Sequence, residues 1–165
     1  MVPLSNLELE NHCMAVLDHI EISDSYLYPY FHYLYMTGSR PVEVLRNDYF
    51  VSLDGSLITV QPDKKNNQRI IQDVDVNNIM YAFLTTDYLY LKVRDYKRLN
   101  QTFHIASAPN NYIVEDKEMV LYLFRFNKVK KLVDSGLTDE QVRVKMGWNN
   151  ILMVQKYYNT IVYVK

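Results

Sequence analysis

One cysteine, Cys13, stands in 165 residues. A single thiol builds no internal disulfide framework, and that scarcity fits a reducing compartment. No apolar run is long enough to span a bilayer, and the first residues lack the basic-then-apolar order of a secretory signal. No membrane partner is therefore expected, and the formal glycosylation sequon Asn100-Gln101-Thr102 carries no meaning. His12, His19, His32 and His104 are scattered without metal-ligand spacing. There is no phosphate-cradling glycine loop and no Cys–His pair with a supporting motif. Repeats, low-complexity tracts and linkers are absent too, so residues 1–165 are expected to form one domain with a real core.

What is present is an ordinary globular composition, 48% hydrophobic and 22% charged, with 15 tyrosines that combine an apolar body with a polar tip. The net charge of −1 argues against a free-standing nucleic-acid binder. Its distribution is uneven. Up to Asp63 only Arg40 and Arg46 oppose nine acids, whereas the remainder carries sixteen bases and ten acids. The bases cluster at Lys64-Lys65, Lys92 to Arg98 and Arg125 to Lys131. Such clusters are either solvated faces or parts of one positive surface.

Apolar spacing predicts an amphipathic helix through Leu7, Met14, Val16, Leu17 and Ile20, with Ser5 as its cap. A buried helix is expected over Ser25 to Met36, ended by Thr37-Gly38, and a third from Pro41 to about Asn47. Tyr49 to Leu53 and Leu57 to Val60 flank Asp54-Gly55, a hairpin signal. Arg69 to Gln72 reads as a further short strand. Helices are then expected over Val76 to Leu84, Tyr88 to Phe103, and Lys117 to Ser135, with Gly136 as a stop. Thr138 and Gln141 form a capping box for Asp139 to Met146. Gly147-Trp148 turns the chain into a last helix, Ile151 to Tyr158. The fold class is mainly α with a small antiparallel β-sheet (α+β).

Arg40 lies at a helix-to-helix corner between apolar runs, in Tyr33 to Leu45, "YLYMTGSRPVEVL". Burying a guanidinium there is costly unless an anion meets it. Thr37-Gly38-Ser39-Arg40-Pro41-Val42-Glu43-Val44-Leu45 resembles the first signature box of tyrosine recombinases, the phage-integrase family. "DKKNNQRII" resembles that family's lysine-bearing β-turn, with Lys64 five residues before Arg69. "YLFRFNKVKKLVDSGLTDEQVRVKMGWNNILMVQKYY" resembles the second box. In it Arg125 matches the second arginine, Gly147-Trp148 the Gly-His/Trp step, and Tyr157 the nucleophile in its Gln-x-Tyr register. Tyr158 is adjacent but out of register. The resemblance covers nearly the whole chain. It departs from the pattern at Tyr122, which replaces the histidine of His-x-x-Arg, and at Phe126, which replaces a histidine that often follows. The amino-terminal core-binding domain of full-length members is expected to be missing, with most of the tail beyond the nucleophile.

The resemblance implies a tyrosine-recombinase catalytic domain acting on double-stranded DNA, in a DNA-dependent homo-multimer, within a phage, virus or other mobile element. No metal or ATP cofactor is implied. The protein would act with the DNA inside the cell: in a prokaryotic cytoplasm, or in a nucleus or virus factory. Arg40 and Arg125 would clamp the scissile phosphate, two permanently charged planar forks being suited to its non-bridging oxygens. Tyr157 would attack phosphorus, and Lys64, with Lys65 as substitute, would protonate the leaving oxygen. Tyr122 would hydrogen-bond the phosphate, Trp148 would pack there or donate its N–H, and Glu43 would buttress the first arginine. Lys64, Lys65, Arg69, Lys128, Lys130 and Lys131 are the expected DNA contacts. Two alternatives stay open. One is a catalytically silent relative or a helix-turn-helix regulator, since Leu137 to Tyr158 also has that pattern. The other is a type IB topoisomerase or telomere resolvase.

Overall fold

Ser5 caps the first helix as the sequence suggests, and Glu8 extends the cap into a capping box. In this computed structural model, which describes residues 1–45, 49–51, 58–60, 69–71, 78, 95–119 and 121–165, Ser5 Oγ accepts from Glu8 N and Glu8 Oε1 accepts from Ser5 N. Helix α1 then runs Asn6–Ser23. It buries Leu9, Cys13, Val16, Leu17 and Ile20, one stripe at helical spacing. Leu7 and Met14, expected inward, are 71% and 48% exposed. The core stripe is rotated from the expected one because Cys13 and Leu9 point in. Each fully buried aliphatic side chain of this kind contributes about 1.5–3 kcal/mol.

Helix α2 (Tyr28–Thr37) is fixed by Pro29 near its start and by Gly38 at its end, with φ +66°. It begins three residues later than expected. Helix α3 (Pro41–Leu45) follows at once. Three short strands, β2 (Tyr49–Val51), β3 (Ile58–Val60) and β4 (Arg69–Ile71), form an antiparallel sheet in that order. The expected Asp54-Gly55 turn, the Lys64-Lys65 tip and the helix over Val76 to Leu84 lie outside the described residues. Helix α4 is Tyr96–Ser107, the described part of the segment expected from Tyr88.

A second sheet corrects the expectation of one helix from Lys117 to Ser135. Lys117–Met119 is a strand, β6, paired antiparallel with β5 (Tyr112–Val114). Strand β5 in turn pairs with β7 (Tyr163–Val164), and β7 with β1 (Val2–Pro3). The sheet order is β1-β7-β5-β6. Helix α5 therefore begins only at Leu123 and ends at Asp134, before Gly136. Pairing with β5 overrides the helical propensity of Lys117-Glu118-Met119.

Helix α6 (Asp139–Met146) has its Thr138–Gln141 capping box, and Gly147 at φ +72° hands the chain to Trp148. Helix α7 is Leu152–Asn159. Helices α1, α2, α4 and α5 enclose one core, while Val129, Val142, Met146, Trp148 and Val154 form a smaller one between α5, α6 and α7. Tyr157 packs against both. Among the described residues no helix is long and apolar enough to cross a membrane.

Candidate active site

The α2–α3 corner that carries Arg40 is fastened from several sides. Tyr30, fully buried, donates its hydroxyl hydrogen bond to Pro41 O at 3.1 Å. Thr37 Oγ1 donates to Tyr33 O at 2.8 Å and accepts from Ser39 N at 3.1 Å. Arg40 N donates to Glu43 Oε2 at 3.2 Å, so the acid fastens the backbone at the corner. Glu43 is itself buried. Burial raises its carboxyl above the ordinary range, with Arg125, Arg69 and Arg40 pulling the other way.

Arg69 completes the corner from beneath. Its Nε donates to Lys145 O at 2.6 Å and its Nη1 to Ser39 Oγ at 3.3 Å, and Nη2 donates to Thr37 O. Only 5% exposed, it ties β4 to the α2–α3 corner and to the end of α6. Burial lowers its guanidinium to about 10. The expectation of Arg69 as a DNA contact is thereby corrected: its donors serve two carbonyls and a hydroxyl inside the protein.

Helix α5 brings in the second arginine. Arg125, 2% exposed, donates from Nη1 to Gly38 O at 2.9 Å and from Nε to the Tyr157 hydroxyl at 3.2 Å. These bonds use two of its five N–H donors. Its guanidinium carbon lies over the Trp148 ring, 5.2 Å from the centroid, and 5.6 Å from that of Tyr157. Trp148 and Tyr157 stack at 5.1 Å with 23° between planes, and Phe126 covers Tyr157 at 4.7 Å. Tyr122, the residue before α5, is half-buried. Burial raises its phenol, while Arg40 and Arg125 act in the opposite direction.

Adjacent tyrosines receive opposite treatment. Tyr158 donates to Asp134 Oδ1 at 2.7 Å, which raises its phenol. Its ring faces Lys130 instead, 5.7 Å from the ammonium. Arg125 thus meets Tyr157 and not its neighbour.

The structure brings Arg40, Glu43, Tyr122, Arg125, Trp148 and Tyr157 into one region, with Gly38, Ser39 and Arg69 holding it. Lys64 and Lys65 lie outside the described residues. Lys130, expected on a DNA surface, is buried, and its ammonium donates to Tyr158 O at 2.7 Å and Thr160 O at 2.8 Å. That expectation is corrected as well. Lys131 is half-exposed but held by Glu10 Oε1 at 3.0 Å and Tyr35 OH at 3.2 Å. Lys128 is half-buried beside Gly38. The supporting role of Arg69 had no signal in composition or spacing. Among the described residues no group of His, Cys, Asp and Glu is placed to hold a metal ion.

No protein-family model and no curated protein sequence matches the chain. Solved structures do. XerA recombinase is similar with a TM-score of 0.65 at 19% identity, over 96% of this chain and 60% of that one. The Tn1549 transposon integrase in complex with transposon right end DNA is similar with 0.65 at 17%, over 95% and 61%. XerH site-specific recombinase bound to difH substrate gives 0.58 at 15%, over 95% and 50%. The chain thus spans between half and about three fifths of those proteins. The likeness establishes the fold: mainly helical with small antiparallel sheets, as in tyrosine-recombinase catalytic domains.

Proposed function

We propose that this chain is the catalytic domain of a site-specific DNA recombinase or integrase, which cuts and rejoins strands through a 3′-phosphotyrosine on Tyr157. One observation carries the reading: Arg125 meets the Tyr157 hydroxyl at 3.2 Å while Arg40 stands at the neighbouring corner. A phosphodiester fits such a place. Two guanidiniums match its non-bridging oxygens, on which charge grows in the transition state, and each preorganised donor is worth roughly 3 kcal/mol in other enzymes.

In the forward step the Tyr157 oxygen bonds to phosphorus as its proton passes to solvent water. The bond from phosphorus to the 5′-oxygen breaks, and that oxygen takes a proton from Lys64, or from Lys65 in its place. Tyr122 donates its hydroxyl hydrogen to a phosphate oxygen, and Trp148 does so with its indole N–H. Reversal with another strand's 5′-hydroxyl reseals the DNA and frees Tyr157. No external energy source enters, because the phosphotyrosine conserves the bond. The substrate is double-stranded DNA at the ends of a mobile element, held by several copies of the chain.

The test is covalent trapping on nicked duplexes from the ends of the element that encodes the chain. A denaturation-resistant protein–DNA adduct, mapped to Tyr157, is the expected result. DNA binding with no adduct would favour the second reading, a catalytically silent relative. Tyr122 supports that alternative: burial keeps its phenol protonated, so it donates a hydrogen bond but cannot exchange protons near neutral pH as a histidine does.

A further inference from the structure

Helix α7 carries Tyr157 on its last turn, where a helix's own hydrogen bonds run out. The final carbonyls of a helix have no partner within it. Here no glycine closes the end: the cap residue is Thr160, in extended conformation. Two of the final carbonyls are met by side chains: Lys156 O accepts from Thr160 Oγ1 at 2.5 Å, and Tyr158 O accepts at 2.7 Å from the Lys130 ammonium, which also bonds the carbonyl of the cap residue, Thr160 O, at 2.8 Å. A cation at a helix C-terminus also complements the helix dipole. One turn further along α5, Asp134 Oδ1 takes the Tyr158 hydroxyl at 2.7 Å. Burial disfavours the charge on Lys130, and nearby Asp134 opposes that effect.

These bonds have a directional consequence. Helix α5 holds α7 at three places around Tyr157: Arg125 meets the phenol, Lys130 grips the backbone that follows it, and Asp134 takes the Tyr158 hydroxyl. The distance between phenol and guanidinium therefore depends on where Lys130 seats the last turn.

We infer that Lys130 is a positioning residue for Tyr157, anchoring the end of α7 to the helix that supplies Arg125. The inference rests on the reading of Tyr157 as the nucleophile. Reactions between held groups are sensitive to placement, and a shift of about 1 Å can cost on the order of a hundredfold in rate. Lys130 touches no reacting atom, so its loss acts on the cleavage step and leaves DNA affinity alone.

The experiment compares the full chain with Lys130→Met, Lys130→Gln and Lys130→Arg on a nicked duplex. It measures single-turnover adduct formation, the dissociation constant for the duplex and amide hydrogen exchange. The expected result for Lys130→Met is a cleavage rate about ten- to a hundredfold lower, affinity within about twofold, and faster exchange confined to residues 155–161. Lys130→Arg keeps a cation and recovers most of the rate. A wild-type rate in Lys130→Met overturns the inference. So does a rate loss matched by an equal loss of affinity, which would make Lys130 a DNA contact. Faster exchange throughout the chain in both Lys130→Met and Lys130→Gln also overturns it. If the unmodified chain forms no adduct, the recombinase reading fails separately. Exchange then still decides the anchor: local acceleration at 155–161 supports it, and an unchanged pattern removes it.

Discussion

Arg125 Nε and the Tyr157 hydroxyl, brought together from helices α5 and α7, lie 3.2 Å apart. Neither residue is placed by local propensity alone. Arg125 is oriented by Gly38 O from the α2–α3 corner and by the Trp148 face, and Tyr157 is clasped between Trp148 and Phe126. The contact joins the two packed cores, so a change at either helix reaches the pair.

The two adjacent tyrosines give the sharpest prediction. Tyr158 spends its hydroxyl on Asp134, and Tyr157 turns its own to Arg125. Tyr157→Phe is expected to abolish the covalent adduct while leaving DNA binding intact. Tyr158→Phe removes one exposed hydrogen bond and should leave stability nearly unchanged, with adduct formation retained. Denaturing gels of both variants on one nicked duplex decide it. An adduct that persists in Tyr157→Phe would place the nucleophile elsewhere.

Gly38→Ala is expected to destabilise the fold and slow cleavage together. At φ +66° an alanine is strained, and its Cβ would lie 2.9 Å from Lys128 Cβ. Overpacking of this kind costs roughly 1–3 kcal/mol beyond the backbone strain. Any shift of Gly38 also moves the carbonyl that orients Arg125. Gly136→Ala is the control: φ is +95° there, but nothing lies within 4 Å of the added carbon. Urea denaturation should show the larger loss at Gly38, and equal losses would remove the steric contribution.

Much of this region is legible in the sequence because its signals are local. A glycine closes α2 ahead of Arg40, a Thr–Gln box starts α6, and Tyr157 follows Trp148 at a set spacing on a short helix. The second sheet was hidden for a physical reason. Glu115 and Asp116 adopt positive φ values of 50° and 62°, a two-residue turn made without glycine. The following Lys117-Glu118-Met119 reads as helix and is held as strand only by pairing across the fold. The lysines of α5 were equally opaque. Lys128, Lys130 and Lys131 look alike in a basic run, yet helical rotation turns Lys130 inward to the end of α7 and Lys131 toward Glu10. Arg69 shows the same limit, as its acceptors are carbonyls that no pattern reveals.

Glu10 predicts how stability responds to acid. Partial burial alone would raise its carboxyl, but hydrogen bonds from Tyr35, Asn127 and Lys131 outweigh it and hold the group below its ordinary value. The unfolded chain therefore binds this proton more readily than the folded one, and stability rises with pH across that interval. The contribution is complete above the unfolded value of 4.5 and is lost as pH falls through the lower folded value. Lys131 is half-exposed, so its share is screened, and the cluster is worth about 1 kcal/mol at neutral pH. Glu10→Gln should lower stability by about that amount at pH 7 and by less at pH 3. Parallel urea curves for the two proteins from pH 7 to pH 3 would dismiss the linkage.

Trp148 separates packing from chemistry. Its Nε1 is buried and has no hydrogen-bond partner among the described residues, although the ring itself is well packed against Tyr157 and Arg125. An unpaired buried donor costs roughly 1–3 kcal/mol, so the free protein gains nothing from this N–H. Trp148→Phe deletes the donor and keeps an aromatic face for the guanidinium. Its melting temperature should fall by only a few degrees, the loss of ring volume being partly offset by removal of the unpaired group. Cleavage should fall much further, about a hundredfold, if the N–H meets the phosphate in the transition state, since a preorganised donor has that worth in other enzymes. Trp148→His restores a donor with less packing and should invert the order, less stable but faster than Trp148→Phe. Single-turnover rates beside thermal melts resolve the two effects. Cleavage that merely follows stability across both variants would make Trp148 a packing residue and leave the phosphate to Arg40, Arg125 and Tyr122.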